Sequence, residues 1–206
     1  TVRAGFLGAF PGDGFAHPIV ELAARQLERA LPAVFGPHPL GLFWLFKYTD
    51  EAPSGIGLHV DGAAVNVNVW LSPDDCCLEG GGLEVFAHVP PAHGASLAAH
   101  NREFASAEEE CALEAKLSAG PVESVPYRCN RACIFKSDRY HRSEPFVFRA
   151  GYAHHRVNLT LLFGDREGAK AHGPAAGRAA VPPARALDGR EAPAAGSEAS
   201  PEPRLP

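Results

Sequence analysis

Between Leu40 and Phe163 the chain is broken every few residues by glycine or proline, and the stretches between the breaks are short, apolar and rich in β-branched and aromatic side chains. The runs are Leu40–Thr49, Ala63–Leu71, Gly82–Ala87, Val122–Tyr127, Arg131–Lys136, Pro145–Phe148 and Arg156–Phe163. Each is too short for a stable helix and suits a pleated, buried surface. Many short strands must bury their faces by stacking sheets. The pattern therefore predicts a mainly β protein built as an antiparallel two-sheet barrel or jelly roll. Two segments read as helix instead. His17–Leu31 spaces Ile19, Leu22, Ala23, Leu27 and Leu31 at a helical period, with Pro18 suited to the first turn. Ser106–Leu117 opens on a serine, carries acidic residues in its first turn and interrupts the strands as a helical insert.

From Asp165 onward the composition shifts to Ala, Pro, Gly, Arg and Glu, with Leu187 and Leu205 almost the only large apolar residues. Such a segment buries too little surface to offset the entropy of ordering it. The expected organisation is one folded domain over residues 1–164 and a disordered low-complexity tail over 165–206. A chain of 206 residues that is 46% hydrophobic can fill the core of one such domain.

Charge and composition narrow the function classes. A formal net charge of -5 leaves no broad basic surface for nucleic acid or anionic membrane. No apolar run reaches the roughly 18 residues of a membrane span, and the N-terminus has no basic region followed by an apolar one, so a soluble protein is expected. The sequence contains no methionine at all, which suggests a processed or excised piece from which targeting signals have been lost. Cys76, Cys77, Cys111, Cys129 and Cys133 form no paired metal spacing and no disulfide framework; free thiols favour a reducing, intracellular setting. A small molecule or a peptide side chain is the expected partner.

One constellation carries chemistry. In His59-Val60-Asp61 an extended backbone sets the imidazole and the carboxylate on one side, where both can meet a single ion. An isolated His-x-Asp is common without a metal. Here, however, a distal His141 follows a buried-looking strand in "IFKSDRYHRSEPF". Two histidines and one carboxylate make the facial triad of non-haem Fe(II) oxygenases, which leaves metal positions open for substrate and oxygen. The last strand alternates, with Arg156, Asn158, Thr160 and Leu162 on one face. That polar face either meets solvent or turns Arg156 into the barrel, where its planar fork suits a carboxylate.

These residues resemble the iron(II)/2-oxoglutarate-dependent dioxygenase superfamily, near its prolyl-hydroxylase-like branch. The similarity runs from about Leu40 to Gly164 and is carried by "HVDGAAVNVNVWLSPDD", "GGGLEVF" and "NRACIFKSDRYHRSEPF" through "GYAHHRVNLTLLFG". The resemblance implies a double-stranded β-helix with Fe(II) held by His59, Asp61 and His141, and 2-oxoglutarate anchored by Arg156. It implies O2 as co-substrate, ascorbate as a candidate reductant, and oxidative decarboxylation to succinate and CO2 coupled to hydroxylation of a substrate C–H bond. Asp61 matters here because relatives that halogenate lack this carboxylate. Tyr48 resembles the tyrosine that relatives aim at the co-substrate. Asn66 and Asn68 share one face, and each either faces the co-substrate or a ligand, or hydrogen-bonds within the barrel wall; Asn68 is carried as a co-substrate contact. In many relatives the anchoring cation follows the distal histidine more closely than Arg156 does, which keeps Arg149 as an alternative. A cupin-like metalloenzyme without 2-oxoglutarate, and a non-catalytic β-barrel binding module, are the rival readings. The loop before His59 and the insert from about Val89 to Gly120 are expected to frame the entrance, with Glu108, Glu109 and Glu110 forming an acidic stripe there.

Overall fold

The computed structural model describes residues 2–3, 5–49, 55–89 and 107–165. Most of the insert before residue 107, and the tail from residue 166, lie outside them. The strands are β1 (Val2–Arg3), β2 (Phe6–Ala9), β3 (Leu40–Tyr48), β4 (Val65–Trp70), β5 (Cys77–Gly80), β6 (Leu83–Phe86), β7 (Val122–Val125), β8 (Ala132–Lys136), β9 (His141–Ser143), β10 (Phe146–Phe148) and β11 (Val157–Phe163). The helices are α1 (Pro18–Ala30), the single turn α2 (Pro32–Phe35) and the insert helix α3 (Ala107–Ser118). Every run expected to be a strand contains one. The strands β1, β2, β5 and β9, two to four residues each, were not expected.

All strand pairings among the described residues are antiparallel. The largest sheet has the order β1-β2-β3-β11-β4-β8, and smaller sheets run β7-β6-β9 and β10-β5. β11 sits at the centre of the large sheet, with Thr160 between Trp44 of β3 and Asn68 of β4. Its alternation divides two buried environments. Leu159, Leu161 and Phe163 join Phe43, Val65 and Val67 on the outer face and pack under Val20 and Ala24 of α1 and Phe35 of α2. Asn158 and Thr160, on the other face, are buried as well and point between the sheets. The polar face of β11 therefore does not meet solvent.

Helix α1 corrects one expectation. Ile19 and Leu22 are 63% and 54% exposed, while Val20 and Ala24 are buried and Leu27 packs beside them. Residues 20, 24 and 27 form a tighter stripe at 3.6 residues per turn than 19, 22 and 23 do, and that stripe faces the sheet. His17, which carried no signal in the sequence, caps this helix: its Nδ1 accepts from the Ile19 backbone N–H at 3.2 Å.

No helix among the described residues is long and apolar enough to cross a membrane. All five cysteines are free thiols, with Cys76 and Cys133 buried.

The two faces of the sheet and the two stripes of α1 predict a contrast. Leu161→Ala, at a fully buried site, should lower the unfolding free energy by about 3 kcal/mol, whereas Ile19→Ala should change it by less than about 0.5 kcal/mol, both read from urea denaturation.

Candidate metal centre

The segment Leu58-His59-Val60-Asp61 alternates between two environments. Leu58 and Val60 are buried with Phe86, Leu117 of the insert helix and Tyr140. That anchoring turns the intervening His59 and Asp61 to the opposite side, towards the space between the sheets. The same device works at Tyr140-His141, where the tyrosine enters the apolar cluster and the histidine faces away. The insert helix thus props up the ligand segment from below; none of its described residues lines the cavity. Its Glu114, together with Glu84, pairs with Arg142 and ties the helix to β6 and β9.

A backbone bridge then joins the two histidines. The His59 N–H donates to the His141 carbonyl at 3.0 Å, and the His141 N–H donates to the His59 carbonyl at 2.9 Å. Directly opposed residues of an antiparallel pair project to one face, and the two rings lie 4.1 Å apart centroid to centroid. One ligand atom from each of His59, Asp61 and His141 lies within 4.8 Å of the others. The three residues singled out by the sequence therefore converge.

Hydrogen bonds select which nitrogens face the centre. His59 Nδ1 lies 2.8 Å from the Gly57 carbonyl and His141 Nδ1 lies 3.0 Å from the Arg139 carbonyl. A carbonyl only accepts, so in each ring Nδ1 carries a proton and Nε2 is the nitrogen left to face the centre. His141 Nε2 sits 3.4 Å from Asp61 Oδ2. Burial, followed by the nearby His141, depresses the His59 pKa to about 4, so the ring is neutral at pH 7. Burial pushes the Asp61 pKa upward, but the hydrogen bond and charge of His141, then His59 and the Asn66 amide outweigh it; the net direction is down and the carboxylate is ionised. A neutral His59 imidazole beside an ionised Asp61 carboxylate suits metal ligation, and both histidines turn Nε2 towards the centre.

The facing wall comes from the large sheet. Trp44, Tyr48, Asn68, Arg156, Asn158 and Thr160 line the same cavity as His59, Asp61 and His141. Arg156 is only 2% exposed. Its Nε and Nη2 both donate to the Gly81 carbonyl, at 3.1 and 3.0 Å, and its guanidinium lies 4.9 Å from the Tyr48 ring and 5.3 Å from the Phe146 ring. Nη1 has no hydrogen-bond partner, and no carboxylate pairs with this arginine among the described residues. Burial lowers its pKa from the ordinary value, with the Tyr48 hydroxyl opposing, yet a guanidinium stays protonated in a protein. Burial likewise raises the Tyr48 pKa, partly countered by the Arg156 charge. Arg149, the alternative cation, is on the surface beside Asp75 at 3.7 Å.

Asn68 lines the cavity, but its amide is engaged by Asn66, Asn158 and Thr160. Two further cavity atoms, Trp44 Nε1 and Asn158 Oδ1, have no partner among the described residues. The sequence reading missed Gly81 and Trp44. The run Gly80-Gly81-Gly82 was the available signal: Gly80 and Gly81 hold φ of +62° and +81°, and a Cβ at Gly80 would meet the Pro145 carbonyl oxygen at 1.9 Å, so the turn that presents the Gly81 carbonyl to Arg156 calls for glycine.

The protonation states predict a pH dependence. In the metal-free fold His59 stays neutral down to about pH 4, while the unfolded chain takes up its proton near the ordinary pKa of about 6.5. The contribution is therefore complete above about pH 6.5 and is lost as pH falls to about 4, on the order of 3 kcal/mol across that window. Urea midpoints measured against pH should show this limb, and His59→Gln should flatten it. No protein-family model matches the chain, and no curated protein matches its sequence. Similar folds exist among solved structures. The non-heme alpha ketoglutarate dependent epimerase SnoN from nogalamycin biosynthesis aligns over 79% of this chain and 63% of that one, with a TM-score of 0.51 at 16% identity. The carbocyclase SnoK from the same biosynthesis covers 79% of this chain and 65% of that one, with a TM-score of 0.46 at 12% identity. An N-substituted L-amino acid dioxygenase from Burkholderia ambifaria, in complex with alpha-KG, covers 74% of this chain and 68% of that one, with a TM-score of 0.44 at 13% identity. The chain thus spans less than two thirds of the SnoN structure, and the two share a fold.

Proposed function

We propose that this chain is a non-haem Fe(II)- and 2-oxoglutarate-dependent oxygenase built on a double-stranded β-helix. It hydroxylates a C–H bond of a small molecule or a peptide side chain and releases succinate and CO2. The observation that carries this reading is a buried guanidinium, Arg156, with no carboxylate beside it and Nη1 unpaired among the described residues, in the same cavity as three convergent residues able to ligate a metal. A buried charge without a partner costs several kcal/mol. A dicarboxylate spanning from metal to arginine would remove that cost.

The residues fit both groups. His59, Asp61 and His141 offer the borderline nitrogen and hard oxygen donors that suit Fe(II). When bound, Fe(II) with 2-oxoglutarate would supply the electrons that activate O2 for attack on a substrate C–H bond. The protein's own part is binding and orientation. Gly57 and Arg139 carbonyls hold the two imidazoles with Nε2 inward. The Gly81 carbonyl fixes the plane of the Arg156 fork, leaving Nη1 to receive the distal carboxylate, and the Tyr48 and Phe146 rings flank it and keep water out. Trp44 Nε1 and Asn158 Oδ1 offer one donor and one acceptor to whatever else enters the cavity. Asp61 fills the position that a halide would need, which favours hydroxylation over halogenation. Ascorbate would serve as reductant in uncoupled turnovers.

The test is anaerobic addition of Fe(II) and 2-oxoglutarate, followed by absorption spectroscopy and then by oxygen and a succinate assay. A weak visible metal-to-ligand band and succinate formation are expected; a protein that shows neither is not an oxygenase of this kind. Arg156→Ala should weaken 2-oxoglutarate binding by roughly 30-fold or more, given about 2–5 kcal/mol for breaking a buried charge pair, while Fe(II) still binds. Arg149→Ala should leave both unchanged. Metal-dependent turnover that survives Arg156→Ala would point to a cupin-like enzyme instead.

A further inference from the structure

Asp61 is connected to the large sheet by a run of hydrogen-bonded side chains that all point one way. The Asn66 amide N–H donates to Asp61 Oδ2. The Asn66 carbonyl oxygen accepts from Asn68 Nδ2 at 3.1 Å. The Asn68 carbonyl oxygen in turn accepts twice, from Asn158 Nδ2 at 2.8 Å and from Thr160 Oγ1 at 2.9 Å. Asn158 Nδ2 also reaches Thr160 Oγ1 at 2.9 Å. All four side chains are buried.

This ladder has a direction that no single amide can reverse. Turning Asn66 over would set its carbonyl against the Asp61 carboxylate and its NH2 against that of Asn68, which leaves two buried groups facing their own kind. Turning Asn68 over would likewise face its NH2 towards the Asn158 NH2. The strand register creates the ladder: Asn66 and Asn68 lie two apart on β4, and Asn68 is directly opposite Thr160 on β11. The orientation is thus held from the far strand, the one that begins just after Arg156.

We infer that Asn66 is a positioning residue for Asp61: the ladder holds the carboxylate at a fixed rotation with Oδ2 engaged, so that Asp61 meets the metal as a one-oxygen ligand. A carboxylate free to turn can close on a metal with both oxygens and consume one of the positions that a chelating keto acid and oxygen require. The inference rests on the reading of His59, Asp61 and His141 as a metal centre.

The experiment titrates Co(II) into the metal-stripped protein, following the dissociation constant and the visible d–d absorption, which reports coordination number. Asn66→Leu keeps the volume and removes the donor. It should weaken Co(II) by about 10- to 100-fold, the usual cost of losing a group that orients a ligand, and should change the d–d band. Asn68→Leu leaves Asn66 beside Asp61 but frees its carbonyl, and should shift both readouts less, in the same direction. Leu161→Ala, on the opposite face of the sheet, should leave both unchanged despite its cost in stability. Asn66→Leu with the wild-type constant and spectrum would overturn the inference. If Asn66→Leu does not fold, an unchanged Asn68→Leu would do so. Wild-type protein that binds no Co(II), or binds it equally well after His59→Gln, would instead overturn the metal-centre reading itself.

Discussion

Everything in the cavity depends on one antiparallel bridge, the reciprocal pair of backbone hydrogen bonds between His59 and His141. It joins residues far apart in the chain and forces their side chains onto one face. Without it the two imidazoles would belong to unrelated loops. The bridge is secured by burial on its reverse side: Leu58, Val60 and Tyr140 enter one apolar cluster with Phe86 and Leu117, so the backbone cannot rotate the histidines outward without exposing that cluster. Apolar packing beneath and hydrogen bonding above therefore act on the same few residues.

The large sheet contributes the opposite wall by an uncommon division of labour. Its outer face is covered by α1 and α2, which leaves the inner face free to carry polar side chains that would destabilise an ordinary core. Asn66, Asn68, Asn158 and Thr160 satisfy most of one another's hydrogen-bonding capacity there, so the polar wall costs little. Arg156 is the exception. Its Nη1 has no hydrogen-bond partner among the described residues, so this wall is least satisfied at the guanidinium.

Much of this was legible before any coordinates. Runs of alternating or continuous β-formers located the longer strands within a residue or two at each end, because period-2 patterning and Gly/Pro punctuation act locally. The residues that converge in the cavity were legible for the same reason: His59 and Asp61 stand two apart in an extended segment, and His141 follows a strand-like run. The insert expected to frame the entrance is a different case. Helix α3 forms where the insert was expected, but its buried Leu117 packs under the ligand segment and Glu114 bonds to Arg142, so the described part of the insert acts as a support for the site.

The sequence by itself determined which residues have the right chemistry and local spacing: the strands, the His-x-Asp pair, a distal histidine and an arginine opening an alternating strand. Only the tertiary structure decided which of two apolar stripes on α1 turns inward, since Ile19 and Val20 are equally apolar and the choice depends on where the sheet lies. It alone also put Arg149 at the surface and Arg156 in the cavity, gave Gly81 its role as the seat of the guanidinium, and aligned four polar side chains from two strands into one directed ladder. The reason is the same in each case. Local patterning follows from interactions a few residues apart, whereas register and burial arise from contacts between segments whose relative placement no local pattern encodes.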